Sequence, residues 1–249
     1  MLESFVLEHL LTWDFAFALG TVFIAGISRG MLGFGATLII VPCLLSIYGA
    51  LPAVIVASII EIPAIVSLLP TAVRQADWRQ IAPVGIAAIV TIPLGAWALV
   101  SVDPNLARQI IAIAVIIFGL LLSTGWRYTG TPGLGIKLLV GAGSGITGGM
   151  ANIGGPIVVM FLVASNATAA HVRAGIMAYF SISGVYRIAV YFALGIYAMP
   201  YTAIALVLAV PYLSGIWLGT KLFSKVSEKL FLRLAIGLVL CAGLVALLK

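Results

Sequence analysis

Charge is scarce in this sequence. Lys, Arg, Asp and Glu make up 8% of the 249 residues, where a soluble domain carries about 25%, so an ordinary water-facing surface is excluded. Ligating side chains are as few. Two Cys (Cys43, Cys241) and two His (His9, His171) stand far apart without ligand spacing, which excludes a metal centre or a nucleophile–base pair and argues against an intramembrane enzyme. No cofactor and no metal are expected. Both cysteines lie in apolar runs and read as buried small hydrophobes; His171 reads as a solvated loop residue. No phosphate-binding loop of the Walker type is present, so energy must come from an ion gradient or the substrate's own gradient. The opening "MLESFVLEHLLTWD" carries Glu3, Glu8 and Asp14 but no Lys or Arg, unlike a secretory signal peptide. The 13 Lys and Arg are scattered, which excludes a nucleic-acid footprint.

Apolar length is abundant instead. The chain is 63% hydrophobic with a mean hydropathy of +1.26. Ten apolar segments run at 13–32, 34–48, 51–70, 80–100, 106–124, 134–149, 153–165, 174–195, 200–221 and 229–248. That pattern predicts an all-α polytopic membrane protein; the clean alternation of a β-barrel is missing. Ten spans of about 20 residues occupy about 200 positions, which leaves no room for a soluble domain. The expected organisation is one membrane domain made of two repeats, 1–125 and 126–249.

The few charges report topology. With the loop after the third segment cytoplasmic, that side collects Arg74, Arg79, Arg127, Lys137, Arg173, Lys221, Lys225 and Lys229, against Arg108 and Lys249 opposite. This positive-inside bias predicts a multi-pass protein of the cell (inner) membrane with both termini outside the cytoplasm. Asp77, Asp103 and Glu228 read as interfacial, as do Trp13, Trp78, Trp126 and Trp217 near segment ends.

Five segments per half is an odd number, so the second half is expected to cross the membrane inverted relative to the first. A duplication supports this: "GISRGMLGFGATLIIVP" from Gly26 reappears as "GITGGMANIGGPIVVMF" from Gly145, shifted by 119 positions, and "GAW" at Gly95 is echoed by "GIW" at Gly215. Segments 34–48 and 153–165 rise only about 20 Å as helix against a hydrocarbon core of about 30 Å. Each half is therefore expected to hold a glycine-broken hairpin; whether it is re-entrant or spans fully stays open. Unwound backbone at membrane depth belongs where it lines a cavity, and the helix restarting after the break offers unbonded N–H groups to an anion.

The candidate substrate-binding residues follow from the breaks: Ser28, Arg29, Gly30, Gly33, Gly35 and Thr37 in the first copy, and Thr147, Gly149, Asn152 and Gly154 in the second. A bulky residue at Gly149 is expected to fill the break. The rival reading gives the glycines to close helix packing. Two ionisable residues sit deep in long apolar segments, Glu61 and Arg187. Arg187 is the candidate electrostatic anchor, with Tyr186 and Ser181 nearby and Ser183 and Tyr191 at i−4 and i+4. Glu61 is the candidate carrier of a coupling proton, or else the ion-pair partner of Arg187.

These duplicated glycine and proline breaks, with the chain length and the "GAW/GIW" echoes, resemble the sulfite exporter TauE/SafE family of membrane anion permeases. The resemblance implies a secondary transporter of a small sulfur-containing anion such as sulfite or an organosulfonate, working by alternating access; an anion channel of the same architecture is the alternative. The partners implied are the small anion and the lipid bilayer, with no nucleic acid. A coupling proton or sodium ion, a homodimeric state, and import versus export stay open. The first copy delays its proline to Pro42, and Thr37 stands where the second copy has Pro156.

Overall fold

The computed structural model describes residues 12–66, 74, 76–124, 132–163, 169–197, 199–222 and 228–248. Glu3, Glu8, His9, Trp126, Arg127, Lys225 and Lys249 lie outside them. All regular structure among the described residues is helical: α1 Trp13–Leu32, α2 Ala36–Tyr48, α3 Ala50–Ile60, α4 Trp78–Ser101, α5 Pro104–Thr124, α6 Leu134–Ala151, α7 Gly155–Val163, α8 Ala169–Ala193, α9 Met199–Leu222 and α10 Glu228–Leu248. Six of these are long and apolar enough to cross a bilayer: α1, α4, α5, α6, α8 and α9. The α2 and α7 helices have 13 and 9 residues, about 20 and about 14 Å of rise. The polar residues between segments act as caps. Thr12 accepts from the Phe15 N–H, Asp77 from the Arg79 N–H and Asp103 from the Asn105 N–H, each satisfying a donor that the first helical turn leaves free.

Apolar side chains face both ways. Val22, Ile40, Val54 and Leu208 are fully enclosed, while Val90, Leu94, Val210 and Leu206 point outward, as suits a bundle whose solvent is lipid. Trp97 and Trp217 are each 61% exposed. Cys43 is buried, as expected, but Cys241 is exposed: against lipid an outward position is as acceptable to a small apolar side chain as the core.

Lipid removes most of the hydrophobic drive between helices, so association depends on close packing, and the glycines supply it. A Cβ at Gly26 or Gly30 of α1 would collide with the Tyr212 or Ile216 carbonyl of α9, and one at Gly215 or Gly219 of α9 with the Phe23 or Ile27 carbonyl of α1. A second seam joins α4 to α6, where Gly141, Gly145 and Gly149 meet Val84, Ala88 and Ile92, and Gly95 meets Ile146. In both seams residue numbers rise together, so α1 runs parallel to α9 and α4 to α6. Lys137 Nζ donates to the Arg79 carbonyl at 3.2 Å, which sets the starts of α4 and α6 at one end. By contrast Gly119 faces Leu240 and Gly243 faces Ile116, so α5 and α10 run antiparallel. The α3 helix packs on α9, and α8 on α4.

Candidate functional site

Two interruptions shape the interior. In the first, α1 ends on Gly33 (φ 77°), whose N–H bonds the Arg29 carbonyl at 2.9 Å, and Gly35 (φ 89°) precedes α2. In the second, α6 ends on Asn152 (φ 59°), whose N–H bonds the Gly148 carbonyl at 2.9 Å, before α7 starts at Gly155. Gly33 and Asn152 are aligned by the 119-residue shift. Both take the left-handed conformation, which glycine adopts freely and asparagine tolerates better than most. The second break needs glycine for another reason: a Cβ at Gly154 would run into the carbonyl of Ser144. Pro156, without an N–H, occupies the first turn of α7 where none is required.

Glu61 connects the two breaks. It closes α3, followed at once by Ile62 and Pro63. Its Oε1 lies 3.7 Å from Arg29 Nη1, and its Oε2 accepts from Asn152 Nδ2 at 3.5 Å. Both side chains of the ion pair are buried, 7% and 5% exposed. Arg29 also lies over the Phe180 ring, 5.3 Å from its centroid, a cation–π contact. The partner of Glu61 is thus Arg29, and the expected Glu61–Arg187 pair does not form. The reason lies in the chain path: the left-handed turn at Gly33 ends α1 beside Glu61, while Arg187 faces the second break.

Arg187 opens onto a cleft beside that break. Its walls include Ser144, Gly148 and Asn152 of α6, Gly154 and Gly155 at the start of α7, and Tyr179, Phe180 and Ser183 of α8. The empty space is about 240 Å³ with its open mouth, and the interior is tight. Arg187 is 5% exposed. Among the described residues no carboxylate lies within ion-pair distance of it, and its Nε has no hydrogen-bond partner. Ser144 Oγ donates to the Gly154 carbonyl at 2.6 Å and meets Tyr179 Oη at 2.6 Å. Ser183 Oγ donates to the Tyr179 carbonyl at 2.7 Å. The Phe180 ring tip lies where a side chain on Gly155 would be, so the ring stands between the start of α7 and Arg29.

Of the residues singled out from sequence, the cleft brings together Asn152, Gly154, Ser183 and Arg187. Arg29 and Glu61 form the pair behind it. Gly33 and Gly35 make the first turn, Ser28 is buried with Oγ over Gly35, and Thr37 is half-buried in the first turn of α2. Gly30 and Gly149 are placed elsewhere: both sit in the helix seams, where the rival packing reading applies. A bulky residue at Gly149 meets α4, not the break. The Thr147 hydroxyl bonds back to the Gly143 carbonyl at 2.8 Å, within its own helix. Tyr191 is fully buried and donates to the Gly149 carbonyl at 2.7 Å, so it braces α6 and does not line the cleft.

Sequence reasoning missed Ser144, Tyr179 and Phe180. The signal for Ser144 was its place among the glycines of "GAGSGITGG", three residues before Thr147 and so on the same side of the helix. Tyr179 and Phe180 carried no signal, because two aromatics in an apolar run read as core.

A buried cation with no carboxylate in ion-pair reach among the described residues, beside a broken helix, has the chemistry to hold a small anion within a membrane bundle. Nothing among curated proteins or solved structures matches the chain. A family model described as Sulfite exporter TauE/SafE matches residues 18–246, nearly the whole length, and the chain belongs to that family of membrane transport proteins.

Proposed function

We infer that this protein is a secondary transporter of a small sulfur-containing anion, such as sulfite or an organosulfonate, and that it works by alternating access around the two chain breaks. The observation that carries the reading is Arg187, a buried guanidinium with no carboxylate in ion-pair reach among the described residues. A charge left uncompensated in a low-dielectric interior is costly unless a ligand completes it. Gly154, Gly155 and Asn152 sit opposite, where the start of α7 adds backbone donors and the positive end of a helix dipole.

The packing supports an inverted repeat. In the duplication α1 corresponds to α6 and α4 to α9, and each first helix packs on the fourth helix of the other half. In the same way α3 packs on α9 and α8 on α4, while the counterparts α5 and α10 meet antiparallel. Such exchange of partners between inverted halves is compatible with a carrier in which one bundle rocks against the other. Glu61 is the candidate coupling carboxylate, because it holds the end of α1 through Arg29 and the end of α6 through Asn152. A proton on Glu61 would weaken both contacts and free the breaks to move. The tightness of the cleft and the ion pair behind it favour a carrier over an open pore.

The test is ligand-induced thermal stabilisation of purified protein across sulfite, thiosulfate, sulfate, sulfonates and carboxylates. A ligand at 100 times its Kd stabilises the folded state by about 2.7 kcal/mol. Sulfur oxyanions are expected to stabilise the wild type, and Arg187→Gln is expected to lose the shift while staying folded. An unchanged shift in Arg187→Gln removes this cleft from the transport path.

A further inference from the structure

We propose that the cleft selects a singly charged anion that brings its own hydrogen-bond donor: a hydrogen oxyanion, not the fully deprotonated dianion. The proposal rests on the reading of the cleft as the anion site and narrows its ligand.

Charge is the first reason. Arg187 supplies one positive charge with no carboxylate beside it among the described residues, and the nearby Arg29–Glu61 pair is neutral as a unit. One negative charge completes Arg187. A second would meet only the partial positive charge of the α7 start and neutral polar groups, where a full charge without a counter-charge is strongly disfavoured.

The direction of the hydrogen bonds is the second. Ser144 Oγ has one proton, and the Gly154 carbonyl, which can only accept, takes it at 2.6 Å. The proton in the 2.6 Å contact between Ser144 and Tyr179 is therefore the phenolic one. Ser183 Oγ has its proton on the Tyr179 carbonyl at 2.7 Å. All three hydroxyls on the cleft wall thus turn lone pairs, not protons, toward a ligand. An oxyanion without a proton would bond Arg187 and the backbone N–H groups but set its other oxygens against those lone pairs. A ligand O–H resolves that contact, reaching Tyr179 Oη or Ser183 Oγ as acceptor. Turning a hydroxyl around gives up a short bond to a buried carbonyl or hydroxyl, which opposes the rearrangement.

Sulfite tests this because it exchanges between the hydrogen-bearing monoanion and the dianion near neutral pH. Its Kd would be measured by calorimetry on the purified full chain at about pH 6 and about pH 8. Methanesulfonate, a monoanion without a donor, and sulfate, a dianion without one, would be measured alongside. Among the described residues the charged and titratable groups around the cleft are Arg187, Arg29, Glu61, Tyr179, Tyr191 and Tyr197, and methanesulfonate reports on all of them. The expected result is sulfite binding at least about fivefold weaker at the higher pH, flat methanesulfonate binding, and sulfate weakest throughout. Ser183→Ala and Tyr179→Phe each remove an acceptor. At least one is expected to weaken sulfite about tenfold at the lower pH, about 1.4 kcal/mol, with methanesulfonate unchanged. Sulfite bound equally at both pH values, a parallel change for methanesulfonate, or sulfate as tight as sulfite would each overturn the proposal while leaving the cleft an anion site. Binding of all three ligands untouched by Arg187→Gln would instead overturn the site itself.

Discussion

Removing one member of the Arg29–Glu61 pair is the perturbation that best separates a structural latch from a chance proximity. The charged atoms lie 3.7 Å apart with both side chains buried. At an effective dielectric of about 20 their attraction is about 4.5 kcal/mol, much of it offset by the desolvation of two ions. The loss on cutting the pair from one side is larger than that net value, because the survivor stays buried without its partner: about 3–5 kcal/mol. Glu61→Met leaves Arg29, among the described side chains, the face of Phe180, a contact of about 0.5–2 kcal/mol. Arg29→Met leaves Glu61, among the described side chains, the amide of Asn152. Replacing both by methionine fills similar volume with no charge, and such exchanges range from neutral to stabilising.

The expected pattern is therefore non-additive. Each single variant lowers the midpoint of thermal unfolding in detergent by roughly 10 °C, taking about 2–4 °C per kcal/mol at this chain length, and the double variant recovers most of it. A second readout separates structure from coupling. In proteoliposomes the double variant is expected to remain folded but to carry substrate without dependence on a proton gradient. Additive losses in the cycle would show that the two residues do not act as a pair. Undiminished proton dependence in the double variant would remove Glu61 as the coupling group.

Two further outcomes follow from glycine and asparagine geometry. On α4, a Cβ added at Gly85 would meet nothing within 4 Å, whereas a Cβ at Gly95 would strike the Ile146 carbonyl. Gly85→Ala is expected to stabilise the helix by about 0.5–1 kcal/mol, and Gly95→Ala to destabilise the bundle by about 1–3 kcal/mol; thermal midpoints that move in the same direction would refute the seam. At Asn152 (φ 59°), glycine keeps the turn and alanine strains it by about 1–2 kcal/mol. Asn152→Ala is thus expected to unfold at a lower temperature than Asn152→Gly, and equal midpoints would refute the strained turn.

The helices were legible because membrane segments announce themselves by length. Most predicted segment starts fall within a few residues of the observed helices, and the short ones, α2 and α7, sit where the glycine breaks placed them. Pair identities were not legible. Glu61 and Arg187 stood out as charges deep in apolar runs, but Arg29, near a segment end, read as a site residue alone; only the turn at Gly33 brings it to Glu61. The glycines were ambiguous for a physical reason. A missing side chain serves close approach and left-handed backbone equally well, and spacing does not say which. The two uses separate in three dimensions: Gly26, Gly30, Gly145 and Gly149 face neighbouring helices, while Gly33 and Gly35 turn the chain.

The shift of 119 positions also bears on why the two halves are unequal. It sets Ala36 on Gly155 and Ala50 on Ala169, the starts of α2 and α7 and of α3 and α8. It sets Arg29 on Gly148, Glu61 on Phe180 and Gly33 on Asn152. Each charged member of the pair thus has an uncharged counterpart, and both counterparts, Gly148 and Phe180, line the cleft. Where the first copy carries a guanidinium and a carboxylate that satisfy each other, the second carries an absent side chain and an aromatic ring, beside an arginine with no such partner among the described residues. On the inverted-repeat reading, equivalent positions were put to opposite uses. Among the described residues the first break is closed by an internal ion pair and the second leaves Arg187 without one; under the proposed carrier function, that is one vacancy for an anion and one latch to release.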